Sequence, residues 1–438
     1  MIWFYRLLFL PVLLLSLPYY GWRMIKRGGY RHDFHHRFGL IDRPPPKRKG
    51  VTRIWIQAVS VGELKAIGPI LEMLDHLGDI EIVLTTTTST GYELARKAYA
   101  SSLLKIGIFP IDFLPFSRSA WRRLDPDLAI LMESEMWPEH LKQAAKRKVP
   151  VVLINGRLSD RSYRRYKKLP TVTRKLLRQV TRIMTATDQD RQRFEDLGAL
   201  PENIICTGNL KFDVTIDPLL NPSERDGLIE EMNLASNIKE TRSPLRPPLI
   251  ILGSSTWPGE EAMLLSFLEE ALHAGINCRL LLVPRHAERR GEIKSLLEKQ
   301  DRHWHLRSTN SKPTKAVRIY VGDTTGELAY LSQIADIAFV GKSLPPNEGG
   351  QTPIEAAALS IPIVYGPNMG NFRQICTSLE NSGAALRAEN ESDAKRLLLS
   401  LLQNRKKREK MASAAREWHK KNRGATVRTV TELQHFLH

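Results

Sequence analysis

The chain has 438 residues, of which 42% are hydrophobic and 26% charged, and a formal net charge of +18 from 65 Lys+Arg against 47 Asp+Glu. This length predicts two or three domains with sizeable cores and excludes a small scaffold held by disulfides. The positive charge favours an anionic partner, which nucleic acid, anionic lipid headgroups or a phosphorylated substrate would each satisfy. The three cysteines, Cys206, Cys278 and Cys376, form no C-x-x-C pair, so a disulfide framework or zinc site is not indicated and a reducing compartment fits best.

The first segment, residues 1–20, reads MIWFYRLLFLPVLLLSLPYY and is apolar apart from Arg6 and Ser16, with prolines at 11 and 18. A membrane-spanning helix needs about 20 such residues. A basic flank follows in place of a small-residue cleavage site, which predicts a retained anchor with the bulk of the chain in the cytoplasm. That flank comprises Arg23, Lys26, Arg27, Arg31 and Arg37. We favour a spanning helix; a helix lying in the membrane interface is the alternative, because Arg6 and the prolines weaken the spanning interpretation.

After a Pro-rich basic stretch at 43–50, strand-like and helix-like segments alternate, beginning with RIWIQAVS and GELKAIGPILEMLDHL. This alternation predicts βαβ units with parallel sheets. Five prolines and mixed charges interrupt it between about 214 and 248, and a second alternation follows. We predict an anchor at 1–24, an N-terminal domain at 25–215, an interdomain linker at 216–248, a C-terminal domain at 249–410 and a C-terminal helix at 411–438 that packs back on the N-terminal domain. Two such sheets suggest a cleft between them.

Polar loops follow several of the predicted strands, where open α/β sheets bind their ligands. Glu63 stands at the mouth of a helix, as either a residue stabilised by the helix dipole or a general base. The loop that begins at Met132 carries Glu133 and Glu135, and helix capping explains one carboxylate better than two. Lys211, just before the predicted linker, is either an ordinary surface lysine or a charge stabiliser.

In the C-terminal half, small hydroxyl residues and glycines precede helix starts, a geometry suited to binding anions through backbone N–H groups. The phosphate-loop candidates are Ser255, Thr256, Gly349 and Gly350. Arg285 and His286 directly follow a strand, where a guanidinium reaches phosphate. A G-x-G-x-x-G fingerprint, a Walker A loop and an H-E-x-x-H spacing are all missing from the sequence. We therefore expect no NAD, no P-loop chemistry, no catalytic metal and no other cofactor.

Seven short motifs occur in an order that resembles the Kdo transferases, which move 3-deoxy-D-manno-oct-2-ulosonic acid from its CMP-activated form onto a lipid A precursor. They are AVSVGE at 58–63, MESEMWP at 132–138, GNLKFD at 208–213, STWPGEE at 255–261, LVPRH at 282–286, GDTTGEL at 322–328 and GGQTPIEAAA at 349–358. The resemblance spans nearly the whole chain. It implies a GT-B fold with two facing Rossmann-like domains, the N-terminal one for the acceptor and the C-terminal one for CMP-Kdo.

The resemblance also implies roles for residues at matching positions. Glu63 would be the general base, and Glu133 and Lys211 would stabilise the transition state. The donor-binding set would be Pro284, Arg285, His286, Thr325, Gly326, Glu327, Thr352, Pro353, Ile354 and Glu355. Two positions depart from the family pattern. Trp257 stands where the family usually has His, and GGQTPIE replaces GGHNPLE, so Thr352 stands in place of Asn. A tryptophan cannot donate a proton to phosphate as an imidazolium can, although it can stack or pack.

The resemblance further implies an inverting, metal-independent transfer of Kdo to lipid IVA in lipopolysaccharide core biosynthesis, at the cytoplasmic face of the inner membrane. One carboxylate base suffices for such a transfer, and helix N-termini with Arg or Lys stabilise the departing CMP. The expected partners are CMP-Kdo, a phosphorylated lipid A precursor and anionic membrane lipids, and not nucleic acid. The basic stretch from Ser159 to Lys168 is either an acceptor-facing surface or a solvated helix face.

Two alternatives stay open. Another GT-B enzyme, a UDP-sugar transferase or epimerase, would share the architecture and the glycine-bearing donor loop. A basic nucleic-acid-binding protein would show aromatic-interleaved basic stripes or a helix-turn-helix, and the sequence has an apolar first segment instead.

Overall fold

The structure is a computed structural model that describes residues 2–27, 33–213, 218–235, 247–309 and 311–437. The chain divides into two compact units. Unit 1 contains Met1–Asp213 together with Asn422–His438, and unit 2 contains Val214–Lys421. Each unit is an α/β domain with one parallel sheet, which confirms the architecture that the alternating segments predict.

Unit 1 is built on a sheet of seven parallel strands. The strands are β1 (Thr52–Gln57), β2 (Ile80–Thr86), β3 (Lys105–Ile108), β4 (Leu128–Met132), β5 (Val151–Gly156), β6 (Arg182–Thr185) and β7 (Ile204–Cys206). The first eight helices are α1 (Ile2–Arg27), α2 (Val61–Asp75), α3 (Ser89–Tyr99), α4 (Leu114–Leu124), α5 (Pro138–Arg147), α6 (Asp160–Lys167), α7 (Pro170–Leu177) and α8 (Asp188–Asp196).

The strands of unit 1 lie in the order β3-β2-β1-β4-β5-β6-β7. Strand β4 is buried at every position because helices cover both faces of the sheet, as parallel sheets require. One core cluster packs Ile54, Leu64 and Ile130 on the face of α2, and the opposite cluster packs Trp121 and Leu153 on the face of α4.

Unit 2 repeats this plan with seven parallel strands in the order β10-β11-β9-β8-β12-β13-β14. The strands are β8 (Leu249–Thr256), β9 (Cys278–Pro284), β10 (Trp304–Leu306), β11 (Ile319–Val321), β12 (Ile337–Val340), β13 (Ile363–Tyr365) and β14 (Ala385–Arg387). The helices are α9 (Pro222–Glu231), α10 (Glu260–His273), α11 (Arg290–Leu297), α12 (Leu328–Leu331), α13 (Ile354–Ala358), α14 (Arg373–Ser382), α15 (Glu391–Gln403) and α16 (Arg405–Asn422). Its core packs α10 and α15 against the sheet through Phe267, Phe339 and Leu398.

The predicted interdomain linker at 216–248 contains a helix in the structure. Part of it, residues 214–217 and 236–246, lies outside the described residues. Between these gaps the chain forms α9, which begins with a capping box of Asn221 and Glu224 and buries Leu228. Pro222 starts this helix because proline is favoured in a first turn, where its missing N–H costs nothing. Pro222 therefore begins a helix within the predicted linker.

The predicted C-terminal helix at 411–438 is two helices. Helix α16 ends at Asn422, and α17 (Ala425–Gln434) follows a break at Gly424, whose φ of 89° no helix interior allows. Helix α17 packs on unit 1, where Val430 and Leu433 join the core cluster of α2. The Asp213 carboxylate accepts hydrogen bonds from Gly424 N at 2.6 Å and Thr426 N at 2.5 Å. These bonds fix the start of α17.

The first helix, α1, differs from the predicted spanning anchor. In the part of the chain that the structure describes, no helix combines the length and the apolarity that crossing a membrane requires, so the spanning interpretation is not supported. Arg6 within α1 forms an ion pair with the fully buried carboxylate of Glu139, at 2.8 Å. Tyr5 Oη donates to Asp112 Oδ2 at 2.7 Å. Arg37 of the predicted basic flank donates to the Phe109 carbonyl at 3.3 Å, so it packs on unit 1.

Removing the Asp213 carboxylate should loosen the attachment of α17. We expect Asp213→Ala to lower the free energy of unfolding by about 2 to 4 kcal/mol, because two backbone N–H groups lose a charged acceptor. Urea unfolding followed by circular dichroism measures the change. Asp226→Ala, at an exposed position of α9, is the control and should change stability by less than about 0.5 kcal/mol. Equal stability of the two variants would show that Asp213 does not hold α17.

Candidate active site

The carboxyl ends of β1 and β4 meet at the point where the winding of the unit 1 sheet reverses, because β1 pairs with β2 on one side and β4 on the other. Open α/β sheets bind ligands at such a switch point. The loop after β1 leads to Glu63, and the loop after β4 begins with Glu133. The two predicted carboxylates therefore come from neighbouring strand ends, although 70 positions separate them in the sequence.

Glu63 lies in the first turn of α2 and is only 7% exposed. Ser60 caps this helix, and its hydroxyl donates to Glu63 Oε1 at 3.0 Å. The other carboxylate oxygen, Oε2, accepts from Val59 N at 2.8 Å. Burial raises the pKa of Glu63, and the charge of Glu133 raises it further, against these hydrogen bonds and the charge of Lys211. The sequence analysis gives two alternatives for Glu63, a carboxylate stabilised by the helix dipole and a general base. This geometry is compatible with both.

Glu133 and Lys211 form an ion pair, with Lys211 Nζ 2.7 Å from Glu133 Oε1. The Glu133 backbone is left-handed, with a φ of 55°. It is held there by Glu133 N, which donates to the Ile154 carbonyl at 3.0 Å, and by Arg157 N, which donates to the Glu133 carbonyl at 3.2 Å. A left-handed non-glycine residue costs free energy and is retained where the surroundings fix it, commonly at functional sites. The structure thus brings together the three residues that the sequence predicted.

Asn155 and Asn209 also belong to this site, and the sequence analysis missed both. Asn155 is the last residue but one of β5 and has a φ of 51°. It is fully buried, and its Oδ1 accepts from Leu210 N at 3.1 Å. Asn209 accepts from Lys211 N at 3.0 Å and so starts the short helical turn that carries the lysine. The signal was present, because Asn155 ends a predicted strand and Asn209 lies within GNLKFD.

Glu135 lies beside this group and titrates near neutrality. Burial and the charges of Glu63 and Glu133 together raise the pKa of Glu135 to about 7, against a smaller lowering by Trp137. Glu135 therefore keeps its proton to a higher pH than an exposed glutamate does, because clustered carboxylates resist full ionisation. Neither Glu133 nor Glu135 caps the helix that follows, because the N-cap residue of α5 is Trp137.

In unit 2, the sheet reverses its winding next to β8, which pairs with β9 on one side and β12 on the other. Glu260, only 1% exposed, occupies this reversal. Its carboxylate accepts from four backbone N–H groups: Trp257 at 2.9 Å, Lys342 at 2.8 Å, Ser343 at 2.8 Å and Leu344 at 3.2 Å. Burial raises the pKa of Glu260, while these bonds lower it. The sequence analysis assigned Glu260 no role.

Trp257 lies at the centre of a group that joins three strand ends. Its ring centroid is 5.3 Å from that of His286, after β9, in an edge-on arrangement. Lys342, after β12, places Nζ 4.5 Å from the centroid of the Trp257 ring. Thr256 Oγ1 and Trp257 Nε1 are buried and have no hydrogen-bond partner among the described residues. The predicted donor residue His286 thus contacts the tryptophan that departs from the family pattern.

The other predicted donor residues lie at strand ends, on loops and in the first turn of α13. Pro284 is buried, whereas Arg285, Thr325 and Gly326 are exposed. Thr352 Oγ1 accepts from Ile354 N at 3.3 Å, which fixes the entry to α13, and Pro353 and Ile354 are buried. Glu355, in the first turn of α13, is half-buried.

Two predicted residues at this edge, Gly350 and Glu327, already have protein partners, and their roles stay predictions. Gly350 N donates to the Lys342 carbonyl at 3.0 Å, so this N–H is not free for a phosphate. The Glu327 carboxylate pairs with Arg307 at 2.8 Å and accepts from the Thr324 hydroxyl. The Arg307 guanidinium therefore lowers the pKa of Glu327. This pairing holds Glu327 near β10 and β11 at one side of the sheet.

One group of possible metal ligands occurs among the described residues, formed by Asp33, His35 and His36 before β1. The Asp33 carboxylate accepts from the Tyr92 hydroxyl, and His36 Nδ1 accepts from Ile108 N at 3.3 Å. Both residues thus have protein partners, and neither belongs to the Glu63 group. The expected absence of a catalytic metal stays a prediction.

Two parallel α/β domains, each with polar residues at its switch point, define the class of GT-B-like glycosyltransferases. A model of the N-terminal region of 3-deoxy-D-manno-octulosonic-acid transferases (kdotransferases) matches residues 32–214, and one of group 1 glycosyl transferases matches 298–418. The chain is 32% identical to the 3-deoxy-D-manno-octulosonic acid transferase of Haemophilus influenzae over 99% of this chain and 98% of that protein. The enzyme of the same name from Bordetella pertussis is also 32% identical, over 95% of each chain.

The chain therefore belongs to the 3-deoxy-D-manno-octulosonic acid (Kdo) transferase family and is a glycosyltransferase. Among solved structures, UDP-GlcNAc 2-epimerase from Neisseria meningitidis bound to UDP-GlcNAc has a TM-score of 0.58 at 15% identity, covering 88% of this chain and all of that chain. At this identity the likeness shows the shared fold alone.

The raised pKa of Glu135 makes stability depend on pH. Because the folded protein holds this proton more tightly than the unfolded chain, whose pKa is near 4.5, stability falls as pH rises from about 4.5 to 7. Glu135→Gln removes this titration. We expect the variant to gain about 1 kcal/mol or more over the unaltered protein between about pH 5 and pH 8.

Urea unfolding of both proteins at the two pH values measures this gain. Glu93→Gln, at an exposed position of α3, controls for the loss of a carboxylate. A stability difference between Glu135→Gln and the unaltered protein that stays constant with pH would contradict the raised pKa.

Proposed function

We propose that this enzyme transfers Kdo from CMP-Kdo to a phosphorylated lipid A precursor, lipid IVA, by an inverting reaction that uses no metal ion. The observation that carries the proposal is the group at the unit 1 switch point, where a buried carboxylate with a raised pKa lies beside the Glu133–Lys211 ion pair. A raised pKa makes Glu63 a stronger base than an exposed carboxylate, which suits proton abstraction from a hydroxyl.

The reaction is a single displacement. Glu63 takes the proton of the acceptor hydroxyl while the acceptor oxygen attacks the anomeric carbon of Kdo. The bond from this carbon to the phosphate oxygen breaks, and CMP leaves with the electron pair. Attack from the face opposite the leaving group inverts the configuration. Lys211, fixed by Glu133, supplies positive charge near the reacting group, and Asn155 and Asn209 hold the loops that carry these side chains.

CMP-Kdo is assigned to unit 2, at the loops after β8, β9 and β12. Arg285 and His286 are exposed there and available to the nucleotide phosphate and base. The Trp257 ring offers a stacking face next to His286. A UDP-sugar substrate is the alternative, and calorimetric titration with CMP and UDP separates the two: a clear preference for UDP would refute the assignment.

The acceptor phosphates are assigned to the cationic face of α6. No residue of this helix is fully buried, Tyr166 is half-buried, and the helix carries Arg161, Arg164, Arg165 and Lys167. Burial raises the pKa of Tyr166 in the same helix, and the charge of Glu135 raises it further, so α6 lies within electrostatic range of the carboxylate group. Phosphate binding by arginine next to a base suits a phosphorylated glycolipid acceptor.

Replacing the proposed base tests the mechanism. We expect Glu63→Gln to lower the transfer rate by about 10² to 10⁴-fold, the usual contribution of a general base, and to leave CMP affinity unchanged. The assay incubates the enzyme with CMP-Kdo and tetraacylated lipid A precursor, and mass spectrometry quantifies the product. Glu72→Gln, on the exposed side of the same helix, is the matched control. Transfer by Glu63→Gln at the control's rate would eliminate Glu63 as the base.

We also propose that α1 lies in the interface of the cytoplasmic membrane face, with unit 1 attached beneath it. Large apolar side chains of α1 are highly exposed: Trp3, Leu7, Val12, Leu15 and Trp22 at 75%, 72%, 61%, 83% and 61%. Large apolar side chains exposed along one helix are typical of membrane or protein contact, and anionic lipids suit a net charge of +18. The Arg6–Glu139 and Tyr5–Asp112 contacts hold the helix against unit 1.

Polar substitution on α1 tests this placement. We expect Leu7→Ser/Leu15→Ser to weaken binding to phosphatidylglycerol vesicles by at least about tenfold, because each buried leucine contributes about 1.5 to 3 kcal/mol. Co-sedimentation measures the affinity. Leu219→Ser, at a leucine of unit 2 that is 71% exposed, is the control. Vesicle binding that survives both α1 substitutions would assign membrane attachment elsewhere.

A further inference from the structure

Lys342 has a backbone conformation that a lysine does not favour. It is the second residue after β12, and its φ is 58°. Lys342 N donates to Glu260 Oε2 at 2.8 Å, and the Lys342 carbonyl accepts from Gly350 N at 3.0 Å. Both backbone groups are thus bonded, which holds the residue in a conformation that glycine would adopt more easily. Such strain is commonly kept where the side chain has a function.

The Lys342 side chain lies over the ring of Trp257, with Nζ 4.5 Å from the ring centroid. In the part of the chain that the structure describes, this ammonium forms no ion pair with a carboxylate. The indole face attracts the ammonium and holds it in place. The side chain of Lys342 is therefore already ordered in the free protein, and ligand binding does not have to order it. Lys342 is therefore a positioned positive charge that forms no ion pair among the described residues.

The backbone N–H groups of this loop are not available to bind a phosphate. Loops at a switch point commonly bind phosphate through backbone N–H groups. Here the N–H groups of Lys342, Ser343 and Leu344 already donate to the Glu260 carboxylate. That carboxylate also adds a negative charge next to the loop, which repels an anion. A phosphate at this edge of the sheet therefore needs side-chain cations, and Lys342 offers one from the loop after β12 in addition to Arg285 after β9.

We propose that Lys342 contacts the phosphate of the nucleotide donor and stabilises the departing CMP, with Trp257 positioning the ammonium. This inference rests on the proposed assignment of CMP-Kdo to unit 2. The phosphate of CMP-Kdo is a monoanionic diester, and it becomes the monoester of free CMP, with greater negative charge, as the bond to Kdo breaks. Lys342 therefore stabilises the transition state more than the bound donor.

The pairing also gives a physical role to Trp257. An imidazolium at that position would supply its own positive charge to the phosphate. A tryptophan supplies none, but its ring face holds the charge of Lys342 at 4.5 Å. His286, whose ring meets the Trp257 ring at an angle of 74°, limits the movement of the indole. The positive charge is thus supplied by Lys342 on the loop after β12, and not by a histidine at position 257 on the loop after β8.

The test compares CMP, which has the phosphate, with cytidine, which lacks it. We expect Lys342→Met to lower CMP affinity by about tenfold or more, since a charge-assisted hydrogen bond is lost, and to leave cytidine affinity unchanged. Lys342→Gly removes the same charge and relieves the left-handed strain, so it keeps the fold where Lys342→Met perturbs it. Lys342→Arg retains a cation and should keep most of the CMP affinity.

Calorimetry measures the affinity for CMP. Competition of cytidine with CMP measures the affinity for the nucleoside. A selective loss of CMP affinity in both Lys342→Met and Lys342→Gly supports the proposal, as does a drop in the transfer rate at saturating donor. Unchanged CMP affinity in both variants overturns it, and so does an equal loss for CMP and cytidine, which indicates a structural role. If the unaltered enzyme binds no CMP, the assignment of CMP-Kdo to unit 2 is wrong. This outcome is seen with the unaltered enzyme alone, so it is distinguished from a failure of the role proposed for Lys342.

Discussion

Every strand pair in the two sheets is parallel, and this constraint determines where chemistry can occur. In a parallel sheet all carboxyl ends emerge at one edge, and helices must return the chain to the other edge. Where the winding reverses, the helices on the two sides diverge and leave the strand ends uncovered. In unit 1 this happens between β1 and β4, and in unit 2 between β8 and β12. The Glu63 group and the Trp257 group occupy these two positions.

Each unit places a buried glutamate at its reversal point, and the two carboxylates have different surroundings. Glu260 accepts from four N–H groups that belong to loops on two strands, so its charge ties the loops together. Glu63 accepts from Val59 N and Ser60 Oγ, both on its own loop, and lies near the charges of Glu133 and Lys211. The Glu260 carboxylate is occupied by its four donors, which suits a structural role. The Glu63 carboxylate accepts only two of these bonds and can accept another, such as one from an acceptor hydroxyl.

Departures from the family pattern are best understood in pairs. Trp257 alone looks like the loss of an ionisable side chain from a donor loop. Beside Lys342 it becomes a surface that holds a cation, and beside His286 it becomes part of an aromatic pair. A similar lesson applies to α1, where Arg6 is unfavourable for a membrane span yet pairs with the buried Glu139. In both cases the side chain that conflicts with the local sequence pattern contacts a residue far away in the sequence.

The sequence by itself determined the two α/β domains, the strand-end loops and the family, because alternating periodicity and ordered motifs are local signals. It also predicted Glu63, Glu133 and Lys211, which the fold brings together. It did not reveal the helix at Pro222–Glu231, the break at Gly424 or the contact of Asp213 with α17, since these depend on caps and on pairing across about 210 residues. Only the tertiary structure decided that Arg6 would pair with Glu139, that Glu260 would occupy the N–H groups of a phosphate-type loop, and that Trp257 would meet Lys342. Such contacts depend on which strand ends become neighbours, and sequence spacing carries no information about distances in space.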